Sequence, residues 1–508
     1  MFKQLNSKRI SLVLAMAAML IGVGCVIAAA DKRPNIILIM ADDMGFSDIG
    51  CYGGEVDTPT IDKLADRGLR FRQFYNNAKC EHTRASLVTG RWWPQVGASA
   101  TVHYAAPTFG EIMRKAGYRT LMVGKWHAGE TPHQRGFDRH FGLCDGCCNF
   151  WNPGHARPGE PEPAKKRVRR WAIDDKEFTP YTPESKDFYT TDAFTDYALQ
   201  YLDEYKNEDK PFVLYMAYTA PHYPMQASKQ DIAKYRGKYM MGWDKLREIR
   251  FARQKKMGLL GDHVKLPPRD GGLPAWDSLS QKEKEAWDLR MATYAAMIDR
   301  MDRNLARVMN KLEALGEMDN TYIFFFSDNG ACEDSADRST VEGSMPWEVV
   351  SYQTQGRVWA NASNTPYRKY KTFNHEGGTH TPMIAAGPGV PAGAYTDQVG
   401  HLVDFLPTML ELAGEKIPSD LPGISLAPSL RGHPVKRPPI YWQFGRAAAL
   451  RDGDWKIVRY GKGKNVKWEL YDLATDPTEM HDLASAQPDR LKKMAAAWDQ
   501  WWAEGKRK

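Results

Sequence analysis

Four short apolar runs punctuate this chain, each bounded by turn residues and each giving way abruptly to polar side chains. Asn35-Ile36-Ile37-Leu38-Ile39-Met40 leads into Ala41-Asp42-Asp43, and Tyr118-Arg119-Thr120-Leu121-Met122-Val123 into Gly124-Lys125-Trp126-His127. Phe212-Val213-Leu214-Tyr215-Met216-Ala217-Tyr218 precedes Thr219-Ala220-Pro221-His222, and Tyr322-Ile323-Phe324-Phe325-Phe326 precedes Ser327-Asp328-Asn329-Gly330. Runs of this length without polar alternation are the pattern of parallel strands covered on both faces. Between them the period lengthens. Thr58-Pro59 predicts a helix start, with Ile61, Leu64 and Ala65 on one face and Gly68 beyond its end. Residues 107–116, 191–206 and the longer stretch from Trp287 to Leu315 read as further amphipathic helices. Strands alternating with helices predict an α/β fold, a large, mostly parallel sheet sandwiched by helices. Ligand sites in such sheets gather at the carboxyl ends of the strands, so the four polar ends are expected in one cleft. From about residue 433 the pattern changes: Asp452-Gly453 predicts a hairpin in a small antiparallel sheet, and Leu491 to Trp502 a closing helix. We therefore expect a catalytic domain over residues 31–432 and a C-terminal α+β subdomain over 433–508.

The first thirty residues carry Lys3, Lys8 and Arg9, an apolar run from Ile10 to Ile27, and Ala28-Ala29-Ala30. This is the layout of a secretory signal, with Cys25 offering a weaker lipoprotein alternative. Export to the periplasm or beyond is expected, and no later segment is apolar enough to span a bilayer. The 508-residue chain has a formal charge of +7, which falls to +4 once the three leader cations are removed. That balance does not argue for a nucleic-acid partner. The basic run Lys165 to Arg170 lies among Pro and Glu, so it reads as a solvated loop or, less readily, as an attractor of anionic substrates. Six cysteines remain (Cys51, Cys80, Cys144, Cys147, Cys148 and Cys332), and both disulfides and free thiols are open readings in an exported protein. Two stretches, roughly 144–190 and 228–285, read as insertions around the cleft; Trp151, Trp171 and Tyr181 in the first suit either sugar stacking or loop anchoring.

Cys80-Glu81-His82-Thr83-Arg84, continuing to Gly90-Arg91, places a cysteine at the start of a short helix with an arginine one turn on. A helix N-terminus favours an anionic nucleophile or oxyanion, and Arg84 shares a face with Cys80. Taken alone, the segment also fits a buried structural cysteine. Asp42, Asp43, Asp328 and Asn329 offer hard oxygen ligands suited to Ca²⁺ or Mg²⁺. Lys125, His127, His222 and Arg84 supply donors for a tetrahedral oxyanion. Glu376-Gly377-Gly378 reads as a tight turn that delivers Lys371 to the same rim.

Together these motifs, with Ser363-Asn364-Thr365-Pro366-Tyr367-Arg368 and the Leu470-Tyr471-Asp472-Leu473 segment, resemble the type I sulfatases of the alkaline phosphatase superfamily, in family order from residue 34 to about 484. The resemblance implies hydrolysis of sulfate esters, of aryl sulfates or sulfated carbohydrates including polysaccharides. It implies that a formylglycine-generating enzyme converts Cys80 to formylglycine, whose hydrate is the nucleophile. One Ca²⁺ would be held by Asp42, Asp43, Asp328, Asn329 and the modified Cys80. Lys125, His222 and Lys371 would contact sulfate, Arg84 would steady the hydrate, and His127 would take a proton from it. The chain departs from the family signal Cys-x-Pro/Ala-x-Arg at His82, and from common usage at His380. The rival readings are a phosphate- or phosphonate-ester hydrolase on the same scaffold, and a glycan-binding homologue without turnover should Cys80 stay a thiol.

Overall fold

Ten strands form one sheet, and the four apolar runs are neighbours at its centre. Thr321–Ser327, Asn35–Ala41, Phe212–Ala217 and Arg119–Gly124 lie side by side in parallel, with Arg139–Leu143 as a fifth parallel member. Met383–Ala386 runs antiparallel beside Thr321–Ser327, followed outward by Leu69–Phe71 and Ala394–Thr396. At the other edge, Trp171–Ile173 and Lys176–Phe178 add an antiparallel hairpin. This computed structural model describes residues 32–461 and 466–505. The expected leader over 1–30, with Cys25, lies outside the described residues. Residues from Pro34 onward form one compact unit.

Strand side chains alternate between two cores, as a pleated sheet requires. Ile37, Ile39, Leu214, Met216 and Phe325 face helices Pro59–Asp66, Thr190–Tyr205, Gly242–Lys256 and Gln281–Ala314. Ile36, Leu38, Met40, Val213 and Phe326 face helices Cys80–Thr89, Phe109–Lys115 and Phe405–Leu412. The long helix starts six residues before the expected Trp287, because Ser280 and Glu283 form a reciprocal capping box. Thr58 does not cap its helix as expected. The Asp302 carboxylate of the long helix accepts from Thr60 N and Ile61 N at 3.0 and 2.8 Å and performs that role.

Segment 228–285 is not the peripheral insertion its charge suggested. It supplies the Gly242–Lys256 helix, whose Trp243 is core and whose Arg250 is fully buried between Asp48 (2.7 Å) and Glu55 (2.8 Å). In segment 144–190, Trp171 is buried and stacked on Tyr181 and Phe194, while Trp151 packs on Tyr189. Loop anchoring, not sugar stacking, is their use here. Among the described residues all six cysteines are free and buried.

The C-terminal region forms a four-stranded antiparallel sheet, Ile440–Phe444, Ala447–Asp452, Trp455–Tyr460 and Glu469–Asp472, closed by helix Pro488–Gly505. Its hairpin turns at Gly453, where φ is 59°.

Candidate active site

The cleft assembles where the central strands end. Asp42 and Asp43 follow Asn35–Ala41, Asp328 and Asn329 follow Thr321–Ser327, and Lys125 follows Arg119–Gly124. Asp42 Oδ2 accepts from Lys125 Nζ at 2.6 Å, with Arg84 Nη2 at 3.7 Å. Arg84, fully buried on the Cys80–Thr89 helix, donates to Asp328 Oδ2 at 2.9 Å and to the Lys125 carbonyl at 2.7 Å. Asp43 Oδ1 accepts from Asn329 Nδ2 at 2.6 Å and from Lys371 Nζ, while His222 Nε2 lies 3.4 Å from its Oδ2. His222 Nδ1 faces the Tyr223 carbonyl at 2.6 Å, so that nitrogen carries the proton and Nε2 is left for the cleft.

Cys80 is the first residue of its helix, preceded by extended Lys79 and ended by left-handed Gly90. Its thiol donates to Glu81 Oε2 at 3.1 Å, and the two form a group with His127 in which all ligand atoms lie within 4.8 Å of one another. The residues expected to bind the cation, contact sulfate and carry the nucleophile are thus at this one cleft. Glu81 was missed; its only signal was adjacency to Cys80, because a carboxylate at a helix start is ordinary.

The electrostatics are those of a crowded, dry cluster. Burial pushes the Cys80 thiol up to about 11, with Lys125 and Lys371 only partly offsetting it. Burial, with Asp42 alongside, pushes Asp328 up to about 6. Burial works the same way on Asp43, but His222, Lys371 and Lys125 outweigh it and hold its carboxyl well below the usual range. His127 is pushed far below its ordinary value by burial and by Lys125, so it stands as a neutral base. Burial alone would depress Lys125 and Lys371; Asp42 and Asp43 respectively, and the Cys80 sulfur, raise them instead.

Among the buried oxygens of this cleft, Asp42 Oδ1, Asp43 Oδ2 and Asn329 Oδ1 accept no hydrogen bond. Asp42, Asp43 and His222 also present ligand atoms within 4.8 Å of one another. Orphaned buried oxygens demand a partner, and an oxygen-rich set suits a hard divalent cation. The donor set therefore fits the expected Ca²⁺.

The backbone is bent to make this cluster. Asp43, Ala78, His127, Lys369 and Thr372 all have φ between 57° and 75° without being glycine. Each such residue costs on the order of 1–3 kcal/mol and persists only where its surroundings fix it. Glu376-Gly377-Gly378 is not the expected turn but the start of a short helix, Glu376–Thr379. Its glycines let the loop carrying Lys371 close in: a Cβ on Gly378 would sit 1.9 Å from the Phe373 carbonyl. His380 packs, with Nδ1 2.8 Å from Glu376 Oε2 and its ring stacked on Tyr367. His82, at the departing position, stacks flat on Trp93 at 3.9 Å with Phe444 at its edge.

The Sulfatase family profile matches residues 34–415, a span that holds every expected site residue from Asp42 to Lys371. This chain belongs to the sulfatase family. A second profile, N-sulphoglucosamine sulphohydrolase, C-terminal, matches residues 368–499. The sulfatase is 33% identical to an uncharacterized sulfatase of Schizosaccharomyces pombe, over 94% of each chain. It is 32% identical to the arylsulfatase of Klebsiella aerogenes, over 79% of this chain and 91% of that one. Among solved structures it superposes on Ps i-CgsB in complex with k-i-k-neocarrahexaose with a TM-score of 0.68, 27% identity and 93% of both chains covered. As a sulfatase it is a sulfuric ester hydrolase with an alkaline phosphatase-like fold, and sulfated carbohydrates are among its family's substrates. No helix among the described residues is long and apolar enough to cross a membrane.

Proposed function

We propose that this sulfatase is exported and cleaves sulfate esters of carbohydrates at a formylglycine made from Cys80, with one Ca²⁺ held by Asp42, Asp43, Asp328, Asn329 and the modified residue. The observation that carries the reading is the thiol itself. Held near pKa 11 by burial, it is protonated at neutral pH and a poor nucleophile, yet it sits at a helix N-terminus facing buried cations. Such a position suits a group that is to become something else. Formylglycine, as its hydrate, would supply one oxygen to attack sulfur and a second hydroxyl whose loss of a proton re-forms the aldehyde and expels sulfate together with the first oxygen; the cation would neutralise charge on the sulfate oxygens.

The chain's own residues do the rest. Lys125 and Lys371 bind the sulfate oxygens, and both stay charged because carboxylates face them. Arg84, anchored on Asp328 and the Lys125 carbonyl, orients the residue at position 80 from one helical turn away. His127, neutral at working pH, accepts the proton released as sulfate departs. His222, oriented through Nδ1 on the Tyr223 carbonyl, presents Nε2 to the leaving group, and the Lys371 ammonium supplies the leaving oxygen's proton. Residues 1–30 act as the export signal, 31–432 carry the chemistry, and 433–508 form the appended subdomain.

Tryptic mass spectrometry of protein from its native host tests the reading directly. The Cys80 peptide is expected as the aldehyde or its hydrate, and Cys80→Ser is expected to cut turnover of p-nitrophenyl sulfate at least a hundredfold. A Cys80 peptide found only as thiol, in protein that turns over normally, rules the mechanism out.

A further inference from the structure

The basic run Lys165 to Arg170 does not stay together in the fold. Lys166 and Arg167 face solvent, Lys165 pairs with Glu162, and Arg170 donates to the carbonyls of Ala100, Ala128 and Gly129. Arg169 instead turns inward and is buried, its Nη2 3.0 Å from Cys147 Sγ. Among the described residues no carboxylate lies within 4.0 Å of that guanidinium. From there a chain of contacts leads to the reaction centre. Cys147 Sγ is 3.6 Å from the Tyr352 hydroxyl, the Tyr352 ring is 5.9 Å from Tyr223, and Tyr223 is 4.1 Å from His222. The same loop presses on the other histidine, since a Cβ on Gly146 would lie 3.0 Å from the His127 ring. A second guanidinium, Arg338, lies over both tyrosine rings at 5.7 and 5.8 Å. Its Nη2 is held by Asp334 at 2.9 Å, but its buried Nη1 has no partner.

Two guanidiniums, one without a carboxylate and one only half engaged, thus sit beside two phenols next to the sulfate clamp. Burying an uncompensated charge is expensive unless an opposite charge arrives. Arginine is also the side chain whose planar fork suits sulfate and carboxylate alike. We propose that Arg169 and Arg338, with the Tyr352 hydroxyl, form a second anion subsite beside the scissile sulfate. It takes a further sulfate or carboxylate carried by the same sugar or the next, which makes a polyanionic glycan the preferred substrate. The proposal rests on the Cys80 cleft being the reaction centre, and it goes beyond that reading by giving the substrate a second charged group.

Calorimetric titration of the matured, Ca²⁺-loaded protein at 150 mM salt tests it with three probes. These are N-acetylgalactosamine 6-sulfate, its 4,6-disulfate, and the 6-sulfated sugar joined to glucuronate. The disulfate or the glucuronate disaccharide is expected to bind at least tenfold more tightly than the monosulfate, and which of the two gains identifies the second group as sulfate or carboxylate. In Arg338→Gln, at a side chain about a third exposed, that ratio is expected to fall at least fivefold, and further in Arg169→Gln. A merely structural defect would weaken all probes together and leave the ratio unmoved. A wild-type ratio within twofold of one for both dianionic probes, or a ratio that Arg338→Gln leaves intact, overturns the subsite. Persistence of the ratio in a protein that hydrolyses no sulfate ester supports the subsite and counts only against the proposed chemistry.

Discussion

At the scale of single residues, the site is a balance among buried charges that have no water to share. Asp43 is its hinge: one oxygen is held by Lys371 and Asn329, and the other accepts no hydrogen bond. Filling that second oxygen's demand with Ca²⁺ should stabilise the fold by mass action, by about 2.7 kcal/mol at a hundredfold excess over Kd. Dialysis against EGTA is therefore expected to lower Tm by several degrees, and Ca²⁺ to restore it. In Asp43→Asn the Ca²⁺-dependent shift should vanish and sulfate-ester turnover drop at least a hundredfold. An Asp43→Asn protein with the wild-type Ca²⁺ response would remove Asp43 from the ligand set. Residue types and their strand-end positions made most of this site legible in the sequence. Glu81 was hidden because nothing in a sequence says which way a carboxylate next to a cysteine turns. His82 and His380 were ambiguous for a similar reason: only aromatic neighbours from distant segments show that both are packing residues.

At the scale of elements, the short helix Glu376–Thr379 matters more than its length suggests. Gly378 lies so close beneath the 370–373 loop that a Cβ would be 1.9 Å from the Phe373 carbonyl and 2.4 Å from that of Tyr370. Backbone cannot step aside as a side chain can, so Gly378→Ala must displace the loop that carries Lys371. We expect a loss of roughly 2–3 kcal/mol in chemical unfolding. We also expect a fall of tenfold or more in kcat/KM, which decides whether the displacement reaches Lys371 and its proposed contact with sulfate. Wild-type kinetics in a destabilised Gly378→Ala would show that it does not. The four parallel strands were readable because uninterrupted apolar runs have one stable use in an α/β fold. Segment 228–285 misled because two of its arginines, Arg247 and Arg250, turn inward while most of its charges stay at the surface: Arg250 is spent on Asp48 and Glu55, and composition alone cannot distinguish a solvated arginine from a buried pair.

At the scale of the whole molecule, the C-terminal sheet is built into the catalytic body. Ile440, Trp442 and Tyr471 share a core with Tyr75, Trp92 and Val403. Lys456 Nζ reaches Glu376 Oε1 at 2.6 Å and Glu479 Oε1 at 2.9 Å, all buried. Residues 31–432 expressed alone would leave Glu376 buried without its cation, a loss of about 3–5 kcal/mol before the exposed core is counted. That fragment is expected to be insoluble where 31–508 is not; a soluble, cooperatively unfolding fragment would contradict this. Stability should also depend on pH through His140, in the Arg139–Leu143 strand. Burial pushes its pKa down to about 3, with His133 adding a little. The unfolded chain, near 6.5, therefore binds a proton that the folded chain refuses, so stability is full above 6.5 and falls with pH below it. The slope approaches about 1.4 kcal/mol per pH unit. Thermal unfolding of His140→Phe between pH 6.5 and 4 should be flatter than wild type by that amount, and parallel profiles would acquit His140.

The sequence by itself determined the strand runs, their polar ends and the chemical character of the cleft. These depend on residue type and local spacing, which a linear chain displays in full. The tertiary structure alone decided which charges face one another without water, which oxygens are left wanting a cation, and which arginines point inward. Those properties arise from segments hundreds of residues apart, and their energies depend on the burial that only the assembled fold creates.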